Sequence, residues 1–384
     1  MEIQEAISLV CELARTHIDP AAVRRAKERQ AAVLAWEEPD YLPMSFGMPV
    51  PAMDALPYYD WAQQWDDPRK SFVEQMKGVI WMGATGADAV PEMRADLGVV
   101  CAPSLFGVGF VAPAHMKPMV NQFIAKDTLR DFVLPEDIRA LGVMPRLIEH
   151  TAHHLALLRE QGLTEVVGFH HCDTQGPFDI ACQVLGHDIF TEVYDDPDFV
   201  HQLMAQTTQA YIRLSRLCKA LQGEGEVGGN ASGYWMKRGG VRACDDSGIL
   251  LPARLFEEFN LPYMAQAITA FDGGWIHYCG GVPGGGRAEG IHLHDLYLKI
   301  PRLCGFNFTT GKDLDAEIRK VLAQRIAYIG LTARGEQESL ADYFRHALAL
   351  CPGRKGLILN AEIRGDEYGE ALDMWHSLQD EMFK

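Results

Sequence analysis

Residues 303–360 run Leu303-Cys-Gly-Phe-Asn-Phe308, then a helical pattern from Asp313 to Gln324, then Ile326-Ala-Tyr-Ile-Gly-Leu331, a second helical pattern from Leu340 to Leu350, and Gly356-Leu-Ile-Leu-Asn360. Short apolar runs of strand length alternate with longer segments of period 3.6. That rhythm predicts a parallel sheet, because parallel neighbours need a crossover helix between them. Upstream the same pattern includes the strand Trp275-Ile-His-Tyr278, the strand Glu165-Val-Val-Gly-Phe169 and a helix over Phe178–Leu185. A long helix carries Val200, Leu203, Thr207, Ala210, Leu214, Leu217 and Leu221 at intervals of three or four.

The N-terminal part reads differently. Ile3, Ile7, Val10 and Leu13 mark a helix, followed by an Arg- and Ala-rich helical stretch whose Arg24, Arg25 and Arg29 read as solvated. Between Glu38 and Asp60 stand Pro39, Pro43, Pro49, Pro51 and Pro57, so loop and short extended pieces are expected. The expected organisation is an N-terminal helical and Pro-rich extension over 1–75 packed on an α/β domain over 76–384.

At 384 residues, 48% hydrophobic and 23% charged, the chain has the composition of a globular protein. The net charge of −17 and the scattered basic pairs argue against nucleic acid and anionic membrane as partners. No run reaches the roughly 18 apolar residues of a spanning helix, and the start, Met-Glu-Ile-Gln-Glu-Ala, has no basic leader. Nine cysteines without close paired spacing suit a reducing compartment, so a cytoplasmic protein is expected. Cys172, Cys182, Cys218 and Cys304 read as packing residues. A homodimer and a small-molecule substrate remain compatible with all of this.

The chemistry is concentrated in Phe271-Asp-Gly-Gly-Trp-Ile-His277-Tyr-Cys279-Gly-Gly. His277 and Cys279 are two apart at the end of a strand, so their side chains share a face and can share one ion. The alternative is a half-buried histidine beside an inert cysteine. Gly280–Gly290 is glycine-rich without a phosphate-loop pattern and reads as a mobile loop over the site. Asp173 and Gln175 follow a strand and precede Gly176-Pro177, which places them at the strand-end rim or in a helix-capping turn. His170 and His171 alternate across the strand end, so at most one faces inward. Asp245 and Asp246 likewise point opposite ways. Tyr234 and Trp235 offer aromatic faces for a flat substrate, or simply fill space.

Three segments together resemble the uroporphyrinogen decarboxylase superfamily, which includes zinc-dependent methylcobamide:thiol methyltransferases. They are Phe169-His-His-Cys-Asp173-Thr-Gln175-Gly-Pro177-Phe178-Asp-Ile-Ala, the stretch from Asp245-Asp246-Ser247 to Pro262-Tyr263, and His277-Tyr-Cys279-Gly. Order and spacing agree from about residue 160 to 280. Before that the likeness is limited to Glu37–Pro43 and to Gly86-Ala-Asp88-Ala-Val-Pro-Glu-Met-Arg. The resemblance implies a (β/α)8 TIM barrel with its site at the C-terminal strand ends. It also implies zinc on His277 and Cys279, with Asp246 facing the pocket.

Two departures shape the reading. The N-terminal Arg-Gln-Ala-Gly-Arg motif of the decarboxylases is absent, which turns the reading from tetrapyrrole decarboxylation towards the methyltransferase branch. That branch has a third cysteine ligand after a C-terminal strand, where this chain reads Gly356-Leu-Ile-Leu-Asn360-Ala-Glu362. Glu362 is therefore the expected third metal ligand, with Cys351, His292 and His294 as alternatives. The expected catalytic groups are Asp173, Asp246 and His171. Gln175, Tyr234, Trp235 and Asn360 are the expected substrate contacts. Zinc would ionise a thiol at neutral pH, and the thiolate would take a methyl group from a corrinoid (cobalamin) held on a partner protein. The competing readings are a metal-independent decarboxylase or lyase using Asp88, Asp173 and Asp246 for proton transfer, and a non-catalytic corrinoid- or tetrapyrrole-binding protein.

Overall fold

The computed structural model describes residues 1–280, 289–310 and 313–384. Eight parallel strands organise it: β1 (Met44–Ser45), β2 (Glu92–Met93), β3 (Gly168–Phe169), β4 (Arg242–Cys244), β5 (Gly274–His277), β6 (Leu303–Asn307), β7 (Ala327–Gly330) and β8 (Leu357–Asn360). Six of them form one sheet in the order β1-β8-β7-β6-β5-β4, and β2 pairs with β3 in a second sheet. The first strand lies against the last, with Met44 opposite Leu359 and Ser45 opposite Asn360. That pairing is consistent with a barrel-like arrangement of parallel strands.

The gap between β3 and β4 is bridged by close backbone approach. A Cβ on Gly176 would stand 2.0 Å from the Cys244 carbonyl oxygen. Only glycine lets the loop after β3 come this near to β4.

The central strands read as unbroken apolar runs because helices cover one face and the interior fills the other. Ala327, Tyr328, Ile329, Leu357, Ile358 and Leu359 are all fully buried. The crossover helices include Leu314–Ala323 between β6 and β7 and Leu340–Ala349 between β7 and β8. The long helix Pro197–Gln222 lies between β3 and β4 and starts at Asp196, whose side chain accepts the Phe199 N–H.

The N-terminal region is two helices, Ile3–His17 and Pro20–Leu34, separated where Asp19 caps the second and Pro20 occupies its first turn. The expected boundary at residues 75 and 76 falls inside the helix Pro68–Gly83, and β1 comes from the segment assigned to the extension. This region is thus woven into the sheet. A second buried cluster joins Ile7, Val10, Phe72, Met76 and Ile80 to Met93, Leu158 and Phe169, so these helices pack behind β2 and β3.

Arg29 was expected in solvent and is instead buried, pairing with Asp40 at 2.7 Å and with Asp88 at 2.8 Å. Asp88 also accepts the Met44 N–H, which ties the second helix to β1 and to the segment leading into β2. A carboxyl held in this way is a structural tie and has no open face for proton transfer. No helix of the described residues is long and apolar enough to cross a membrane.

Candidate metal centre and adjoining cavity

The register of the sheet builds the centre. Cys244 of β4 and Asn307 of β6 flank His277 of β5 on either side. The chain leaves β4 through Asp245 and Asp246 and leaves β5 through Tyr278 and Cys279. The Asp246, His277 and Cys279 ligand atoms converge within 4.8 Å of one another. Asp246 also accepts the Cys279 N–H at 2.5 Å, fixing one strand exit on the other.

Asn307 sets the histidine tautomer. Its amide nitrogen donates to the Ile329 carbonyl, so its oxygen faces His277 Nδ1, which must carry the proton. Nε2 is then a bare lone pair, 3.1 Å from Cys279 Sγ. Burial and the nearby Arg242 guanidinium hold the imidazole below its ordinary pKa, in the neutral form that ligates metal.

Asp179 steadies the other ligand from below. Its carboxyl accepts the backbone N–H groups of Asp246 and Ser247 at 3.0 and 2.6 Å. Burial and the Asp246 charge push it up to about 7. Asp245, the neighbour pointing the other way, is buried and takes hydrogen bonds from Asn260 at 2.7 Å and Tyr297 at 2.5 Å. It anchors the strand exit.

One nitrogen, one sulfur and one oxygen ligand suit zinc, whose catalytic sites use three protein ligands and keep a position open. A tetrahedral zinc would separate its nitrogen and sulfur ligands by about 3.5 Å. A small opening of the His277–Cys279 pair meets that. Both Asp246 and Cys279 are exposed, so the open position faces outward.

Glu362 does not join this group, contrary to the expectation from strand position. It lies two residues beyond β8, with a half-exposed side chain gripped by Arg364 at 3.0 and 2.8 Å. The other candidate ligands are also engaged elsewhere. Cys351 donates to the Ala347 carbonyl at 3.6 Å, His292 bonds the Leu251 carbonyl at 3.0 Å, and His294 sits between Tyr278 and Glu317. The reading of Gly280–Gly290 as a loop over the site falls largely on 281–288, outside the described residues.

Beside the centre, a cavity of about 520 Å³ opens at the C-terminal strand ends, lined among others by Ser45, Glu92, Arg94, His170, Tyr234, Arg242 and Asn360. Tyr234 donates to the Asn360 side chain at 3.1 Å, and so does Ser45 at 2.8 Å. Trp235 turns the other way, its N–H on Gln30 and its ring under Lys27, because adjacent strand residues face opposite sides. The same alternation separates the two histidines. His170 lines the cavity, whereas His171 is buried in the interior near Lys219, with its pKa pressed to about 3 by burial and that cation.

Asp173 stands between Arg242 at 3.1 Å and Arg94 at 3.6 Å and accepts from Gln175 at 2.6 Å. Burial raises its pKa, but the two cations outweigh this and keep it ionised. It therefore orients arginines rather than waiting for a proton. Arg242 links both parts of the site, since it lines the cavity and acts on His277.

Sequence reasoning passed over Asn307, Asp179 and Glu92. A polar residue at the end of the apolar run Leu303–Phe308, next to the strand of His277, was the available signal for Asn307. Glu92 and Arg94 alternate along one short strand exit, which marks a shared face.

Glu92 accepts the Gly233 N–H through Oε1, while buried Oε2 has no partner among the described residues. Burial drives its pKa from 4.5 up to about 8; the Gly233 bond and the Arg94 and Lys27 charges oppose this, and Glu224 adds to it. Neighbouring His170 is held well below its ordinary value by burial, then by Arg94 and Arg242, so the two face each other uncharged. In this window the folded chain keeps a proton that the unfolded chain has released. Stability contributed here is present below about 4.5 and falls as pH rises towards about 8. Glu92→Gln should remove that loss, gaining a few kcal/mol relative to the native chain between about pH 5 and 8. Urea midpoints across that range check it, and parallel pH profiles for the two proteins would contradict it.

No protein-family model matches the chain, and no curated protein sequence matches it. Among solved structures, a methyltransferase from Methanosarcina mazei matches with a TM-score of 0.63 over 94% of this chain and 99% of that one, at 14% sequence identity. The likeness shows a shared fold. The chain is an α/β protein with parallel strands and a convergent Asp-His-Cys group at their C-terminal ends.

Proposed function

We propose that this chain is a zinc-dependent methyltransferase on a TIM barrel, moving a methyl group between a corrinoid carried by a partner protein and a thiol or small methylated substrate. The observation that carries it is the Asp246, His277 and Cys279 group with the histidine tautomer fixed by Asn307. The match to the Methanosarcina methyltransferase supports the reaction class.

When bound, zinc supplies the positive charge that ionises a thiol of ordinary pKa near ~8.5 at neutral pH. A methylated corrinoid on the partner would supply the methyl group, a C–S bond forming at the thiol as the Co–C electron pair returned to cobalt. The thiol proton leaves to solvent through the exposed face beside Asp246. Asn307 and Asp179 hold the ligands in place, and Arg242 with Asp173 borders the cavity that would receive the small substrate. Nine free cysteines are in keeping with a cytoplasmic setting.

Mixing the zinc-loaded protein with free methylcobalamin and a panel of small thiols should convert the methylcobalamin spectrum to that of demethylated cobalamin. His277→Ala should be inactive. An active His277→Ala variant would favour the decarboxylase or lyase reading. Saturable corrinoid binding without turnover across thiols and methyl donors would favour the binding-protein reading.

Asn307→Ala should leave the fold intact and weaken zinc binding about 10- to 100-fold, the usual effect of removing a group that orients a metal-bound histidine. A competition titration against a chromophoric chelator measures this. Unchanged affinity would show that Asn307 does not set the tautomer.

A further inference from the structure

The cavity has a mixed lining. Its lining includes the aromatic rings of Phe46, Trp81 and Tyr234 and the polar side chains of Arg94, Arg242 and Glu92. The arginines share their carboxylates. Asp96 is shared by Arg94 at 3.2 Å and Lys117 at 2.9 Å, and Asp173 by Arg242 and Arg94. Asp246 acts on Arg242 as well, and the facing Glu92 and His170 are uncharged.

The hydrogen-bond inventory is incomplete. Both arginines reach their carboxylates through Nη2 alone. Among the described residues their other N–H groups have no protein acceptor, and they are not sealed away from solvent. A guanidinium offers five donors in a fork that matches a carboxylate, so these spare donors fit one more anionic group.

We propose that the cavity binds a flat monoanionic acid of the benzoate type, its carboxylate on the spare N–H groups of Arg94 and Arg242 and its ring among those of Phe46, Trp81 and Tyr234. This names the class of the small methylated substrate and rests on the methyltransferase reading for its part in turnover. The binding itself does not.

The test is calorimetric titration of the full chain with benzoate, with neutral benzamide and with acetate, which lacks the ring. Benzoate should bind at one site, about 10- to 100-fold tighter than benzamide, the span expected for a charge-assisted pair of hydrogen bonds, and acetate should bind more weakly than benzoate. Arg242→Gln should lose a similar factor. Leu331→Trp, a change at an exposed position on the cavity rim, should block binding without touching the buried cluster. Glu92→Gln, a change at a carboxyl whose free oxygen is sealed from the cavity, should retain it. Equal affinity for benzoate and benzamide would overturn the proposal, as would benzoate binding unaffected by both Arg242→Gln and Leu331→Trp. The titration is repeated on chelator-treated protein. Equal benzoate binding with and without zinc supports the pocket whatever the outcome at His277 and Cys279, so the two readings fail separately.

Discussion

Replacing any one of the three convergent ligands should abolish tight zinc binding and leave the protein folded. In a chelator-competition titration, Cys279→Ser, His277→Ala and Asp246→Asn are each expected to lower zinc affinity by at least about a thousandfold, whereas Glu362→Ala should leave it unchanged. The physical basis is that a three-ligand site deprived of one member falls back to two, and two ligands rarely outcompete water and buffer. The folding part of the expectation follows from exposure. Cys279 and Asp246 lie at the solvent edge, so their side chains contribute little packing. Far-ultraviolet circular dichroism and the thermal midpoint of Cys279→Ser should match the native protein. If Glu362→Ala lost zinc while Asp246→Asn kept it, the third-ligand assignment would be reversed. If Cys279→Ser unfolded, the residue would be a packing element and the centre would not exist as described.

The second large effect is on stability. Arg29→Met should destabilise the chain by about 3–5 kcal/mol, the cost of removing one partner from a buried ion pair. The methionine keeps the apolar stem, so the loss reports the charge. Asp88 would be left buried, with only the Met44 N–H on its carboxylate. Burial already raises the pKa of Asp88 against the pull of Arg29, so without the guanidinium it should hold a proton to higher pH than in the native chain. The defect should therefore shrink as pH falls. Urea unfolding followed by tryptophan fluorescence at two pH values measures both features. A loss below about 1 kcal/mol would show a solvated pair of the surface kind. Because Asp88 holds β1 to the segment entering β2, the variant should also loosen the cavity wall that Ser45 and Glu92 provide.

The parts of this molecule that were legible in the sequence share one property: their signal is local. β5 to β8 and their helices are long enough for apolar runs and 3.6 periodicity to appear, and the structure places them within a residue or two of the expected bounds. β1 and β2 are two residues each, too short to show any alternation, whereas the equally short β3 lies within the apolar run Glu165–Phe169 that reads as a strand. One of them lies among prolines that read as loop. The same distinction runs through the site. His277 and Cys279 are visible because both ligands sit on one strand, where side-chain direction follows from spacing. Asp246 reaches them only because β4 lies beside β5 with Cys244 level with His277. A single sequence carries no register between strands, so the expectation of Glu362 rests on its standing where the resembled family has its third cysteine, and nothing local corrects it. Arg29 failed for a related reason. Its helix is charged throughout, and only the position of Asp88, fifty-nine residues away, makes that arginine an interior group.

The central claim is that Asp246, His277 and Cys279 hold one zinc ion with a position left open. The most direct test is zinc K-edge X-ray absorption on protein loaded with one equivalent of zinc and then mixed with a small thiol. The account predicts one sulfur neighbour near ~2.3 Å with nitrogen or oxygen neighbours at ~2.0–2.1 Å, and a second sulfur on adding the thiol. A shell of oxygens without sulfur, or a failure to retain zinc through gel filtration, would contradict it.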